Sequence, residues 1–235
     1  MTARMAMRDT KRRSAAACRL YLVRHGTTSL TVENRYRGRR DVPLDAQGYR
    51  DAVDAARRLD GAALTSVYTG PLRRTIAAAQ IIADEHWVPD LRILQGLNNL
   101  DYGAWEGMTP EEAAHYDPEA YSLYESSPRI AACPQGERLM VAQRRMLAAV
   151  QFIGSRHAGE SVAAVTHAVM IRLVMLELTG VDGRSWRHPV RRGSVTEFHV
   201  ENGTIQLVLH PEDADPSVAE AAPASLHASN GRAPG

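Results

Sequence analysis

The sequence predicts an α/β chain: a three-layer α/β/α sandwich around a central, mostly parallel mixed sheet. Three observations carry that expectation. Short apolar, β-rich runs alternate with longer runs whose apolar residues recur at helical spacing. Several of the strand-like runs end in loops bearing charged or polar residues, and in parallel sheets the ligand crevice lies beyond such carboxyl ends. The last two strand-like runs flank Asn202-Gly203, a two-residue hairpin turn, which adds an antiparallel pair.

The elements follow in order. "RLYLV" reads as a buried strand feeding the loop "RHG". "LDAQGYRDAVDAARRLDG" places Ala and Leu on one helical face and closes on Gly. "ALTSVYTG" is the second strand. "PLRRTIAAAQIIADEH" is a helix with Pro71 at its start and an Ile/Ala face. "LRIL" is a third, short strand. "TPEEAAHY" and "DPEAYSLYES" each begin with an N-cap, Thr109 and Asp117, followed by a proline at the first helical position. "GERLMVAQRRMLAAVQFIGSRH" is a long helix, with Glu137 expected to cap it. "ESVAAVTH" is a strand, and the nearly all-apolar "AVMIRLVMLELTG" a buried helix.

A chain of 235 residues suits one domain with a sizeable core. The domain is expected over 18–210, with a disordered extension over 1–17 and a disordered Ala/Pro/Ser-rich tail over 211–235. A formal charge of +1 gives no reason to expect nucleic acid or a membrane surface as partner. The apolar run after the basic start is short and broken by Arg19, a poor signal peptide, and no run reaches transmembrane length. Two cysteines make no disulfide framework, and no histidine stands at metal-ligand spacing. A cytoplasmic protein without metal is the expectation.

Taken alone "RHG" says little. Its combination with "GRRDVPLDAQG", "PLRR" at a helix start, "DYGAWEG", "PQGERL" and strand-Thr166-His167 says more. A phosphoryl group in transfer spreads negative charge over its equatorial oxygens, so its catalysis needs positioned cations and donors. An imidazole is largely unprotonated at neutral pH and can attack phosphorus. Guanidinium forks match phosphate oxygens. With these segments in this order, the chain resembles the histidine phosphatase superfamily, of phosphoglycerate-mutase-like fold, from about Leu20 to Leu209.

The resemblance implies roles residue by residue. His25 matches the nucleophile that becomes a phosphohistidine, and Arg24 and Arg74 match two phosphate-clamping arginines. Arg74 rather than Arg73 falls on the pattern Ser-Pro-Leu-x-Arg. His167 matches the second histidine, which stabilises the transferring group, and the backbone amides from Ala168 onward can add anion affinity. The family needs no metal or organic cofactor. The implied partner is a small phosphorylated molecule, and a homodimer is an admissible assembly.

Departures from the family touch the proton donor and specificity. Asn99 in "LNNLDYGAWEG" stands where related enzymes carry Glu or Asp, and Ala168 stands where others carry Asp. An amide cannot supply a proton to the leaving oxygen. Three explanations remain open: a substrate with a good leaving group (an acyl, anomeric or diphosphate), a substitute acid at Asp101, or a phosphate-binding protein with little turnover. Thr27 replaces a frequent acid and Thr31 a frequent Asn. Arg37 replaces the Thr of mutases and could meet a second anionic group. The sequence reading is therefore a phosphatase acting on a small phosphorylated metabolite, with a weakly catalytic binder or a phosphomutase as alternatives.

Overall fold

The computed structural model describes residues 16–179, 186 and 189–209. Six strands form one sheet in the order β3-β2-β4-β1-β5-β6. They are β1 (Cys18–Arg24), β2 (Leu64–Thr69), β3 (Leu91–Ile93), β4 (Ser161–Thr166), β5 (Val195–Glu201) and β6 (Thr204–Leu209). The first four run parallel, and β5 and β6 are antiparallel to their neighbours. The expected mixed sheet is the observed one.

Helices cover both faces, as the two-residue period of the strands requires. Leu20, Leu22, Val162 and Ala164 share one apolar cluster with α6 (Leu139–Arg156) and α7 (Ala168–Thr179). Tyr21, Val23, Ala163 and Val165 point the other way, into a cluster with α2 (Ala46–Arg58) and α3 (Arg73–Glu85). α4 (Pro110–Tyr116) and α5 (Pro118–Ser126) begin with the caps expected of Thr109 and Asp117, each accepting an amide three residues on. Between these helices and the sheet lies an aromatic layer of Tyr36, Tyr102, Trp105, Tyr124 and Trp186. No described helix is long and apolar enough to cross a membrane. Cys18 and Cys133 are buried free thiols.

Three local expectations need correction. Pro71 lies outside its helix: Leu72 is the N-cap of α3, and the Gly70 amide still bonds Val165 O, so the strand ladder runs one residue further than the sequence suggests. Glu137 does not cap α6, whose N-cap is Arg138. Its carboxylate is held, at 2.8 and 2.9 Å, by Arg145, which lies within α6 eight residues on. A short helix unforeseen in the sequence, α1 (Ser29–Val32), follows "RHGTT", braced by Thr28 and Thr31, whose hydroxyls are 2.9 Å apart. The expectations for 1–17 and 211–235 lie, apart from Ala16 and Ala17, outside the described residues.

Candidate active site

The sheet register builds the site. β1 and β4 are parallel neighbours with Arg24 paired to Thr166, so the next residue on each, His25 and His167, emerges side by side at the carboxyl rim. The His25 amide continues the ladder to Thr166 O at 3.1 Å. The two rings lie 5.1 Å apart between centroids, edge to face. Gly26 lets the chain turn under α2: a Cβ there would sit 2.3 Å from Gly48 O, so this glycine pair allows the helix to close over the loop that bears His25.

The contacts of His25 fix its tautomer. Its Nδ1 lies 2.6 Å from Gly26 O, and a carbonyl only accepts, so Nδ1 carries the hydrogen and Nε2 the lone pair. That Nε2 is buried without a partner, as are both ring nitrogens of His167. Burial holds the His25 imidazole well below its ordinary value, with repulsion from Arg37, Arg74 and Arg24 adding to it and the Gly26 contact opposing. Burial, then Arg74, His25, Arg37 and Arg145, act likewise on His167.

Three guanidinium groups face this pair. Arg24, at the end of β1, donates through Nη1 to Val190 O. Arg74, fully buried on the first turn of α3, donates to Arg40 O at 2.7 Å and Gly38 O at 2.8 Å. Arg37 donates through Nη1 to Thr31 Oγ1. The Nε of each is buried with no partner. Burial, then repulsion from Arg37, pushes both Arg24 and Arg74 down to about 9. Among the described residues none of the three is hydrogen-bonded to a carboxylate; Asp51 acts on Arg24, and Asp41 and Glu106 on Arg74, only through space, so an entering anion would meet cations without a direct ion pair.

The other expected site residues fall into place differently. Arg73 is turned outward and clasps Asp41 through Nε at 3.0 Å, away from the basin. Arg73→Ala should therefore leave kcat/KM within about threefold and cost less than about 1 kcal/mol of stability, the scale of an exposed pair; a steady-state assay with thermal melting reads both. Thr31 has its oxygen taken up by Arg37 and Thr28, so it positions Arg37 rather than facing a ligand. Ala168 opens α7, and its amide is among the first-turn N–H groups that a helix leaves unpaired. Asn99 is buried; its Nδ2 donates to Gly38 O at 2.9 Å and its Oδ1 accepts the Leu100 amide at 3.0 Å. Asp101 has its two oxygens on Arg39 Nη1 and the Gly103 amide.

Several participants were not visible in the sequence. Gly38 adopts φ +53, and its carbonyl receives both Arg74 and Asn99. A Cβ there would fall 1.9 Å from Glu106 Oε1, so only glycine fits this turn. Arg145 gathers the carbonyls of Gly96, Asn98 and Asn99 and fixes the segment before the aromatic layer. Asp51 of α2 accepts both the amide and the hydroxyl of Thr27, bringing a carboxylate in from the helix to a position where Thr27 itself offers none. Burial alone would raise Asp51, but hydrogen bonds from Gln47 and Thr27 outweigh it and hold the acid low. No group of three described His, Cys, Asp or Glu side chains could hold a metal ion.

A family model described as the histidine phosphatase superfamily (branch 1) matches residues 20–213. The chain belongs to that superfamily. Phosphoserine phosphatase 1 of Hydrogenobacter thermophilus is 29% identical over 187 residues, covering 78% of this chain and 87% of that protein. Phosphoglycerate mutase-like protein 4 of Arabidopsis thaliana is 34% identical over 155 residues, covering 65% of this chain and 67% of its own length. The solved structure of Bacillus stearothermophilus YhfR superposes with a TM-score of 0.74 at 35% identity, covering 82% of this chain and 96% of that one. This histidine phosphatase has the phosphoglycerate-mutase-like α/β fold, and its class is that of enzymes that hydrolyse phosphate esters.

Proposed function

We propose that the protein is a cytoplasmic phosphatase that hydrolyses a small phosphorylated metabolite with a good leaving group through a phosphohistidine on His25, without metal or organic cofactor. The observation that carries this reading is the unpartnered His25 Nε2, its lone pair fixed by the Nδ1–Gly26 contact, in a buried basin walled by Arg24, Arg37, Arg74 and His167. Arg24 and Arg74 clamp the equatorial oxygens. The His167 N–H donates to the same oxygens, and the Ala168 amide adds to the anion site. Asn99 holds the Gly38 carbonyl and supplies no proton.

Rapid acid-free quenching during turnover, followed by 31P NMR of the denatured protein, tests this. An acid-labile, base-stable phosphoramidate on His25 is expected. Binding of phosphate esters with no such signal and no hydrolysis would instead make the protein a binder.

The pH dependence follows from burial. His25 is held below the ordinary imidazole value of 6.5, so the nucleophile stays unprotonated through neutral pH. The acidic limb of kcat/KM should lie below pH 6.5 once the substrate's own ionisation is allowed for. The same shift affects folding. Below 6.5 the unfolded chain binds protons that the folded histidines refuse, so stability of the unliganded protein falls as pH drops from 6.5 toward the lowered values. A limb at or above 6.5 would contradict this burial effect.

A further inference from the structure

We infer that the substrate is a phosphoric anhydride, a phosphoryl group carried on the oxygen of a second acid, and that Arg37 receives the departing anion. The inference rests on His25 being the nucleophile, as proposed above. It begins from the proton inventory of the basin. The buried atoms left without partners there are the Nε atoms of Arg24, Arg37 and Arg74, His25 Nε2, both nitrogens of His167 and the hydroxyl of Ser194 beside Arg24. None belongs to a carboxyl group.

Every carboxylate around the rim among the described residues is engaged. Asp41 is on Arg73, Asp51 on Thr27 and Gln47, and Asp101 on Arg39 and the Gly103 amide. Glu106 accepts the Arg39 amide, and Glu137 is on Arg145. Neutral amides and neutral imidazoles are too weakly acidic to protonate an alkoxide. The burial that keeps both histidines neutral removes imidazolium as well. An alkyl ester would forgo general acid help worth about 10²–10⁴-fold. A carboxylate or phosphate leaves as an anion and needs no proton.

Arg37 supplies fixed charge for such an anion. Thr31 and Thr28 brace its guanidinium, and its Nε is buried and open. It directly precedes Gly38, whose carbonyl is gripped by Asn99 and Arg74, and its charge acts on both His25 and His167, which places it on the basin. Arg24, Arg37 and Arg74 bring three positive charges, none hydrogen-bonded to a carboxylate among the described residues, and Arg192 repels both Arg24 and Arg37. A phosphoryl dianion neutralises two charges; the charge of a second acid meets the third.

The chemistry balances without a proton donor. The His25 Nε2 lone pair forms the P–N bond as the bond from phosphorus to the bridging oxygen breaks. The electron pair stays on that oxygen, which departs as carboxylate or phosphate anion onto Arg37. Water then attacks phosphorus, the P–N pair returns to Nε2, and both hydrogens of the water leave with dihydrogen phosphate.

The test compares acetyl phosphate and methyl diphosphate with ethyl phosphate and methyl phosphate, in wild type and in Arg37→Gln. Wild-type kcat/KM should favour the anhydrides by about 100-fold or more, the scale of the missing proton. Arg37→Gln should lower the anhydrides by roughly 100-fold, the scale of one lost preorganised donor, and the alkyl esters, which place no departing anion on Arg37, by at least about tenfold less than that. The anhydride with the larger loss identifies the leaving acid as carboxylic or phosphoric. Equal losses on both classes would show that Arg37 grips the transferring phosphoryl or merely supports the fold. Alkyl esters turned over within about tenfold of the anhydrides would overturn the proposal on wild type alone, even if the variant did not fold. Phosphohistidine trapped from any of the four substrates keeps the nucleophile reading intact in either event; hydrolysis with no phosphoenzyme removes that reading.

Discussion

His25→Ala should abolish turnover, with kcat falling by roughly 10⁴–10⁶-fold, the range seen when a covalent nucleophile is removed. Its phosphoenzyme should vanish while the fold persists. The imidazole makes one described hydrogen bond, to Gly26 O, and carries none of the strand ladder, which runs through the backbone amide to Thr166 O. The loss for stability is therefore that of one hydrogen bond and a small void, about 1–2 kcal/mol. The cations Arg24, Arg37 and Arg74 remain, so phosphate should still bind. Circular dichroism, melting with and without phosphate, and phosphoenzyme trapping separate the outcomes. A variant that kept even a few per cent of wild-type kcat would show that water, not His25, attacks phosphorus.

Arg74→Ala is the second large effect. The side chain is fully buried, and its Nη1 and Nη2 are committed to Arg40 O and Gly38 O. Those two contacts aim the remaining N–H groups, Nε among them, at the basin. Removing one preorganised donor from a developing charge costs about 2–4 kcal/mol in the transition state, about 30- to 1000-fold in rate. The loss should appear in kcat more than in KM, because the charge it meets grows as phosphorus is transferred. Arg74→Lys should recover little, since one ammonium cannot hold both carbonyls and reach the anion. Loss of equal size in Arg73→Ala would place the wrong arginine in the site.

The sequence revealed the fold because period-two strands, helical spacing and turn residues are local signals, and the same signals put Arg24, His25 and His167 at strand ends and Arg74 at a helix start. His25 and His167 follow strands whose alternation is plain, and the parallel pairing of β1 with β4 then places them together. What escaped detection was set by contacts across long separations. Asp51 reaches Thr27 from a different element, and the Gly38 carbonyl draws Arg74 and Asn99 from two others. Glu137 was misjudged for the same reason: a capping pattern is local, but its partner Arg145 also serves Gly96, Asn98 and Asn99. Asn99 was legible as a departure, whereas its engagement with Gly38 required coordinates.

The position of β1 in the sheet has a consequence for synthesis. β1 lies between β4 and β5, the strands that begin at Ser161 and Val195, and bonds to no strand made soon after it. At about 5–20 residues per second, a ribosome needs roughly 7–30 s to add the residues separating β1 from β4. Throughout that interval the apolar "RLYLV" run has no native partner, while β2, α3 and β3 can already associate locally. The nascent chain is thus exposed to aggregation at the segment that bears His25. Shortened chains that stop before β4 should leave His25 and Arg74 as unorganised side chains, because β4 and His167, which complete the rim, are not yet made.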